Sequence, residues 1–60
     1  MKPKELLAVA EDYATMKGNY TAFNDMFIGF RGYYNVRESV KKTLRYMYGE
    51  DICEMLIGEK

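Results

Sequence analysis

The stretch NVRESVKKTLRYMYG, residues 35–49, decides the fold because it carries the signals of one amphipathic helix. Asn35 is a good N-cap, and Glu38 three residues later completes a pattern that resembles a capping box. Gly49 is predicted to end the helix. Apolar residues recur at every third or fourth position and form one stripe for the core: Val36, Val40, Leu44 and Met47, with Thr43 at its edge.

A second stripe on the same helix is basic. It consists of Arg37, Lys41, Arg45 and Tyr48. Lys42 and Tyr46 fall on the far side of the helix. Residues 31–48 hold five basic side chains and one acidic side chain, whereas the last twelve residues hold four acidic and one basic. The chain is neutral but polarised, and a local field of this kind can steer a charged partner.

A first helix is predicted from about Pro3 to Lys17. Proline suits the first turn of a helix, and Glu5 complements the positive end of the helix dipole. Gly18 supplies a left-handed cap at the other end. The apolar stripe of this helix recurs at helical spacing: Leu6, Val9, Ala10, Tyr13 and Met16.

A short last helix is predicted to begin at Glu50 or Asp51 and to end at Gly58. Acidic residues in its first turn suit the helix dipole. Its apolar side is predicted to contain Ile52, Met55 and Leu56, with Ile57 nearby.

Residues 20–36 fit two different structures. One is a short helix capped by Thr21 and ending near Gly29, because the aromatic and Met residues from Phe23 to Phe30 have helical spacing. The other is a hairpin near residues 26–36, which is rich in strand formers. We favour the helix, so the predicted fold class is all-α, a small bundle of three to four short helices. The alternative is an α+β fold with that hairpin between helices.

Sixty residues make one small domain, predicted to span residues 1–60. A chain of this length has a marginal core and is usually stabilised by disulfides, a metal ion or association. The sequence has one cysteine and no histidine, so it offers neither an internal disulfide nor a structural zinc site. Association is the means of stabilisation that remains, and we therefore expect a homo-oligomer.

The residues that catalysis usually needs are missing. The sequence has no histidine to act as a base near neutral pH and no glycine-rich phosphate loop. Ser39 is the only serine, and Cys53 stands among acidic neighbours that disfavour its thiolate. We therefore expect no enzyme, no cofactor and no metal, and we expect Cys53 to be a small core residue.

The chain also lacks long apolar runs. No stretch of about 18 apolar residues is present, so no transmembrane helix is predicted. The first residues lack the apolar core of a secretion signal. These features predict a cytoplasmic protein that does not enter a membrane.

A protein-interaction module is the function we expect first. Nine of the residues are Phe or Tyr and five are Met, which exceeds what so small an interior can hide. In size and composition the chain resembles the accessory or inhibitor proteins of phages and mobile elements, which bind a host or partner protein. The predicted partner-binding residues are Arg31, Tyr33, Tyr34, Arg37, Lys41, Arg45 and Tyr48.

Nucleic-acid binding is the alternative. The basic helix 36–48 could neutralise phosphates, and neighbouring rings could stack on bases: Tyr33, Tyr34, Tyr46 and Tyr48. A short helix, a turn and a second helix also resemble the order of a helix-turn-helix. The neutral net charge and a predicted turn of about five residues or more, against the usual 3–4, favour the protein partner.

Overall fold

A computed structural model of the chain describes residues 2–58, and within that range it contains four α-helices and no strand. The helices are α1 (Pro3–Met16), α2 (Tyr20–Arg31), α3 (Val36–Tyr48) and α4 (Glu50–Ile57). The all-α prediction is confirmed, and the alternative hairpin near residues 26–36 is wrong. Glu59 and Lys60, which we counted with the acidic end of the chain, lie outside the described residues.

The helix α2 continues through Gly29, where we predicted its end, and stops two residues later at Arg31. Its inner face explains why. Phe30, one residue beyond Gly29, is partly buried, and its ring packs against that of Tyr46 on α3 with centroids 6.5 Å apart. Burying one such side chain stabilises a fold by about 1.5–3 kcal/mol, whereas a helical glycine costs about 1 kcal/mol relative to alanine. Packing of the rings therefore outweighs the glycine.

The connection between α1 and α2 is a Schellman motif. Gly18 has a positive φ of 76°. The N–H groups of Gly18 and Asn19 donate to the carbonyl oxygens of Thr15 and Ala14, over 3.0 and 2.9 Å. The left-handed cap predicted at Gly18 is confirmed. The predicted Thr21 cap of α2 is wrong, because the motif returns the chain so tightly that α2 already begins at Tyr20, with Asn19 in the N-cap position and no capping hydrogen bond from its side chain.

Only residues 32–35 connect α2 to α3, fewer than the five or more that we predicted. The guanidinium of Arg31 donates from Nη1 to the carbonyl oxygen of Tyr34 (2.7 Å), which holds this turn closed. The Oδ1 atom of Asn35 then accepts a hydrogen bond from the N–H of Glu38 (2.8 Å). The predicted Asn35 cap is confirmed, and it fixes where α3 begins.

The helix α3 packs against each of the other three helices. Val40 and Leu44 in its apolar stripe are fully buried, as predicted. Ser39 and Thr43 are fully buried as well, although the sequence placed Thr43 only at the edge. Their hydroxyl groups donate to backbone carbonyls, Thr43 Oγ1 to Ser39 (2.7 Å) and Ser39 Oγ to Tyr34 (3.4 Å). These bonds allow two polar residues in the core without the cost of unpaired groups.

The rest of the core comes from the three outer helices. It consists of Leu6, Ala10, Ala14, Phe23, Cys53 and Ile57. The prediction that Cys53 is a core residue is confirmed. Met16 and Met55, which we placed on apolar faces, are 71% and 64% exposed. Both α1 and α4 are rotated relative to the predicted stripes, because the small residues Ala14 and Cys53 face the core in their place.

Replacing Leu44 by alanine should lower the free energy of unfolding by about 2–5 kcal/mol, since the change opens a cavity on the helix that all others contact. Urea unfolding followed by circular dichroism measures the loss. Ile28→Ala is the matched control, because Ile28 has the same number of carbon atoms and is 59% exposed. Equal losses in the two variants would contradict the packing of α3.

Replacing Gly18 by alanine should destabilise the fold by about 1 kcal/mol, because a side chain is strained at positive φ. Gly29→Ala should instead stabilise it by roughly 0.5–1 kcal/mol, because Gly29 is helical and an added Cβ atom would meet nothing within 4 Å. Thermal melts of both variants measure whether the melting temperature falls or rises relative to the wild type. The same sign for both would contradict the cap at Gly18.

Candidate functional site

An open groove of about 370 Å³ lies where the end of α2 and the following turn meet the outer face of α3. In the described part of the chain, three aromatic and two cationic residues line it: Phe30, Tyr34, Lys42, Arg45 and Tyr46. We call these residues the aromatic–cationic groove. Its volume is within the range of about 300–1,000 Å³ that is typical of ligand pockets.

The rings of the groove form one connected cluster centred on Phe30. The centroid of Phe30 lies 6.3 Å from that of Tyr34 and 6.5 Å from that of Tyr46. The ring planes are tilted by 57° and 58°, so the edges of the rings as well as their faces line the groove. Tilted rings at these distances attract one another and hold the apolar wall in place.

Two cations, Lys42 and Arg45, line the groove together with these rings. The Nζ atom of Lys42 is 4.6 Å from the ring centroid of Tyr34, a distance typical of a cation–π contact. The Nε atom of Arg45 lies 3.9 Å from Oε1 of Glu50 at the start of α4. Both side chains of that ion pair are largely exposed, so water screens it and it contributes little stability. The groove therefore offers positive charge beside exposed rings.

Two of the predicted partner-binding residues, Tyr34 and Arg45, line this groove. Arg31 is bound to the backbone of Tyr34 in the adjoining turn. Tyr33 stands in the same turn with 86% of its surface exposed. The structure thus brings Tyr34 and Arg45 together in the groove, and it places the other two residues at the end of α2 and in the turn that follows.

Arg37 and Lys41 do not line the groove. The helix α4 packs on their side of α3, where the thiol of Cys53 donates to the carbonyl oxygen of Lys41 (3.7 Å). The Nζ atom of Lys41 lies 3.8 Å from Oε2 of Glu38, and only 17% of its side chain is exposed. Arg37 is half-buried. The predicted basic stripe is therefore divided, and only its Arg45 end reaches the groove.

Tyr48 is also separate from the groove and packs against α1. Its ring meets that of Tyr13 edge-on, with centroids 4.9 Å apart and planes at 88°. Its hydroxyl donates to Oδ1 of Asn19 in the α1–α2 connection. Burial is the main cause that raises the pKa of the Tyr48 hydroxyl above its ordinary value. Tyr48 was placed in the basic stripe because it follows Arg45 by three residues, but its contacts are internal.

Phe30, Lys42 and Tyr46 were not among the predicted partner-binding residues. A signal for two of them is present in the sequence, because Lys42 and Tyr46 are four residues apart and share one face of α3. We assigned both to the far side of that helix, and the groove is on that far side. Phe30 gives no such signal, since its contact with Tyr46 depends on how α2 packs against α3.

Cys53 is only 2% exposed, and its position does not suit a nucleophile. Burial is the largest cause that raises the pKa of its thiol. The nearby carboxylates of Glu50 and Glu54 raise it too, while Arg45 and Lys41 lower it. The thiol therefore stays protonated at neutral pH, and a protonated thiol is a poor nucleophile and metal ligand.

Neither a membrane span nor a metal site accompanies the groove in the described part of the chain. No helix within residues 2–58 is long and apolar enough to cross a membrane. Within the same residues, no three acidic or cysteine side chains come together as a metal site would require. Comparisons of the chain with known protein families, curated proteins and solved structures give no match. What can be proposed about function therefore depends on the surface residues themselves.

Cys53 should react with iodoacetamide about tenfold or more slowly in the folded chain than in urea at the same pH, because it is buried and its thiolate is disfavoured. Mass spectrometry of timed samples measures both rates. The destabilised L44A variant serves as the control and should react faster than the wild type without urea. Similar rates in the folded and unfolded wild type would contradict the burial of Cys53.

Proposed function

We propose that this chain is a non-catalytic protein-binding module whose aromatic–cationic groove holds an acidic segment of a partner protein. The observation that supports this most strongly is the meeting of three rings and two cations in one groove. A module of this kind acts by tethering or occupying its partner, as accessory and inhibitor proteins do.

The composition of the groove suits a protein partner. Aromatic residues and arginine are enriched where proteins bind each other, and they dominate the binding energy when they lie at the centre of a contact. The rings offer a surface for an apolar side chain. Lys42 and Arg45 beside them favour a carboxylate. The preferred ligand is therefore a segment in which an aliphatic or aromatic side chain stands next to Asp or Glu.

The present position of Lys42 also favours binding. Its ammonium group already rests over the ring of Tyr34, and it borders the space that a ligand would occupy. A side chain held near its bound position loses less conformational entropy on binding than a freely moving one. Arg45 is held less firmly, since its ion pair with Glu50 is exposed and long. A ligand carboxylate can therefore replace Glu50 at little cost.

Binding of single-stranded nucleic acid is the second candidate, and one observation favours it. Tyr33 and Tyr46 are 86% and 77% exposed, and Tyr46 shares the groove with two cations. Exposed rings beside cations can stack on bases and neutralise phosphates. Two features favour the protein partner over it. The rings of the groove are tilted against one another, and the chain has no net positive charge.

The α2–α3 connection of four residues is close in length to the turn of a helix-turn-helix. The second helix of that motif must enter the major groove of DNA with one long face open. Here α3 is covered by three other helices, and α4 packs along the side that carries Lys41. This packing supports a shallow binding surface rather than a recognition helix.

Replacing Tyr46 by alanine should weaken binding of an acidic probe by about 1–2 kcal/mol, because Tyr46 is an exposed ring that lines the groove. The probe is a short synthetic peptide of glutamate, leucine and phenylalanine. Its binding is followed by nuclear magnetic resonance of the isotope-labelled chain. Y20A is the matched control, since Tyr20 is an exposed tyrosine at the far end of α2. It should bind like the wild type.

The same titration is repeated with a single-stranded oligonucleotide at physiological salt. We expect the peptide to shift the backbone signals of residues around the groove and the oligonucleotide to shift none of them. The tagged wild-type chain, incubated in lysate, should retain bound proteins after nuclease treatment. The tagged Y46A variant should not retain them. Oligonucleotide binding that K42Q abolishes, without any peptide binding, would overturn the proposal in favour of nucleic acid.

A further inference from the structure

The outer face of α4 has the chemistry that the groove prefers. Asp51 and Met55 are four residues apart, and Glu54 follows Asp51 by three, so the three side chains share one side of the helix. All three are exposed, and Met55 is the most exposed large apolar side chain of α4. One flexible apolar side chain therefore stands beside two carboxylates.

This face cannot fill the groove of its own molecule. Cys53 and Ile57 bury the opposite side of α4 in the core. Asp51 and Met55 therefore point away from the body of the chain. As α4 is packed, these exposed side chains are available to a second molecule.

The groove and α4 nevertheless lie close together on the surface. The ion pair between Arg45 and Glu50 joins the edge of the groove to the first residue of α4. When two complementary surfaces are neighbours on one molecule, a two-fold axis can bring each into contact with its counterpart on a second copy. Every contact then occurs twice, so two small contacts act together.

We propose that the aromatic–cationic groove of one copy holds the outer face of α4 of a second copy in a two-fold dimer. Met55 packs against the rings, while Asp51 and Glu54 face Lys42 and Arg45. The dimer rests on the proposed function, because both need the groove to hold an acidic, apolar segment. It adds that the chain covers its own binding surface when no partner is present, and that a partner must displace α4.

Sedimentation equilibrium from micromolar to millimolar concentration tests the dimer. The wild type should form a weak dimer whose dissociation constant rises with salt, because opposite charges hold it together. K42E and E54K should each raise that constant about tenfold or more, since each replaces an attraction by a repulsion in both contacts of the dimer. The control variant K4E makes the same charge change as K42E, but on the exposed start of α1. It should leave the dissociation constant of the dimer unchanged.

Mixing K42E with E54K is the decisive experiment. In the mixed dimer, the altered groove faces the altered α4, and the unaltered groove faces the unaltered α4. Both contacts then join opposite charges. The mixture should therefore dimerise about as tightly as the wild type, although neither variant does so alone. Circular dichroism of each variant establishes that it remains folded.

A wild type that stays monomeric at millimolar concentration would overturn the dimer, and so would a mixture that fails to associate. The peptide titration separates this failure from that of the proposed function. If the chain is monomeric and the acidic peptide still binds around the groove, the dimer is wrong and the binding function stands. If neither occurs, both are wrong. If both are right, the peptide should dissociate the dimer.

Discussion

The helix α3 packs against all three of the other helices, and the other features of this structure depend on that constraint. Because α1, α2 and α4 all pack on α3, most of its circumference is covered. Ser39 and Thr43 are small enough to be buried there, and their hydroxyl groups are satisfied by the backbone. Only a narrow outer strip of α3 stays open. That strip carries Lys42, Arg45 and Tyr46, so the packing of the core determines which side chains can meet a ligand.

The sequence predicts what local rules control. The start of α3 at Asn35 and the cap at Gly18 depend on hydrogen bonds between residues close in the chain, and both were predicted correctly. The groove depends on where the end of α2 meets α3, which periodicity does not reveal. Tyr48 shows the same limit, because its position in α3 fits either a basic surface or a contact with α1. Only the packing of α1 against Tyr48 decides between them.

The charge polarity of the sequence is partly cancelled within the folded chain. Arg45 faces Glu50, and Lys41 faces Glu38, so part of the basic segment is already paired. The exposed pair of Arg45 and Glu50, at nearly 4 Å, contributes at most about 1 kcal/mol. Another carboxylate can therefore easily replace that of Glu50. The separation of charge along the chain therefore acts as a set of weak contacts more than as a uniform field. In each contact, an incoming acidic side chain competes with a carboxylate of the chain itself.

The small residues of the core also have an evolutionary consequence. Ala10 and Ala14 on α1, and Ser39 and Thr43 on α3, are all fully buried and are spaced four apart in each helix. A larger side chain at any of them would overpack the interior, at a cost of about 1–3 kcal/mol. Surface positions are under no such restriction. Substitutions that keep a small residue at these four positions are therefore the ones that the fold tolerates best.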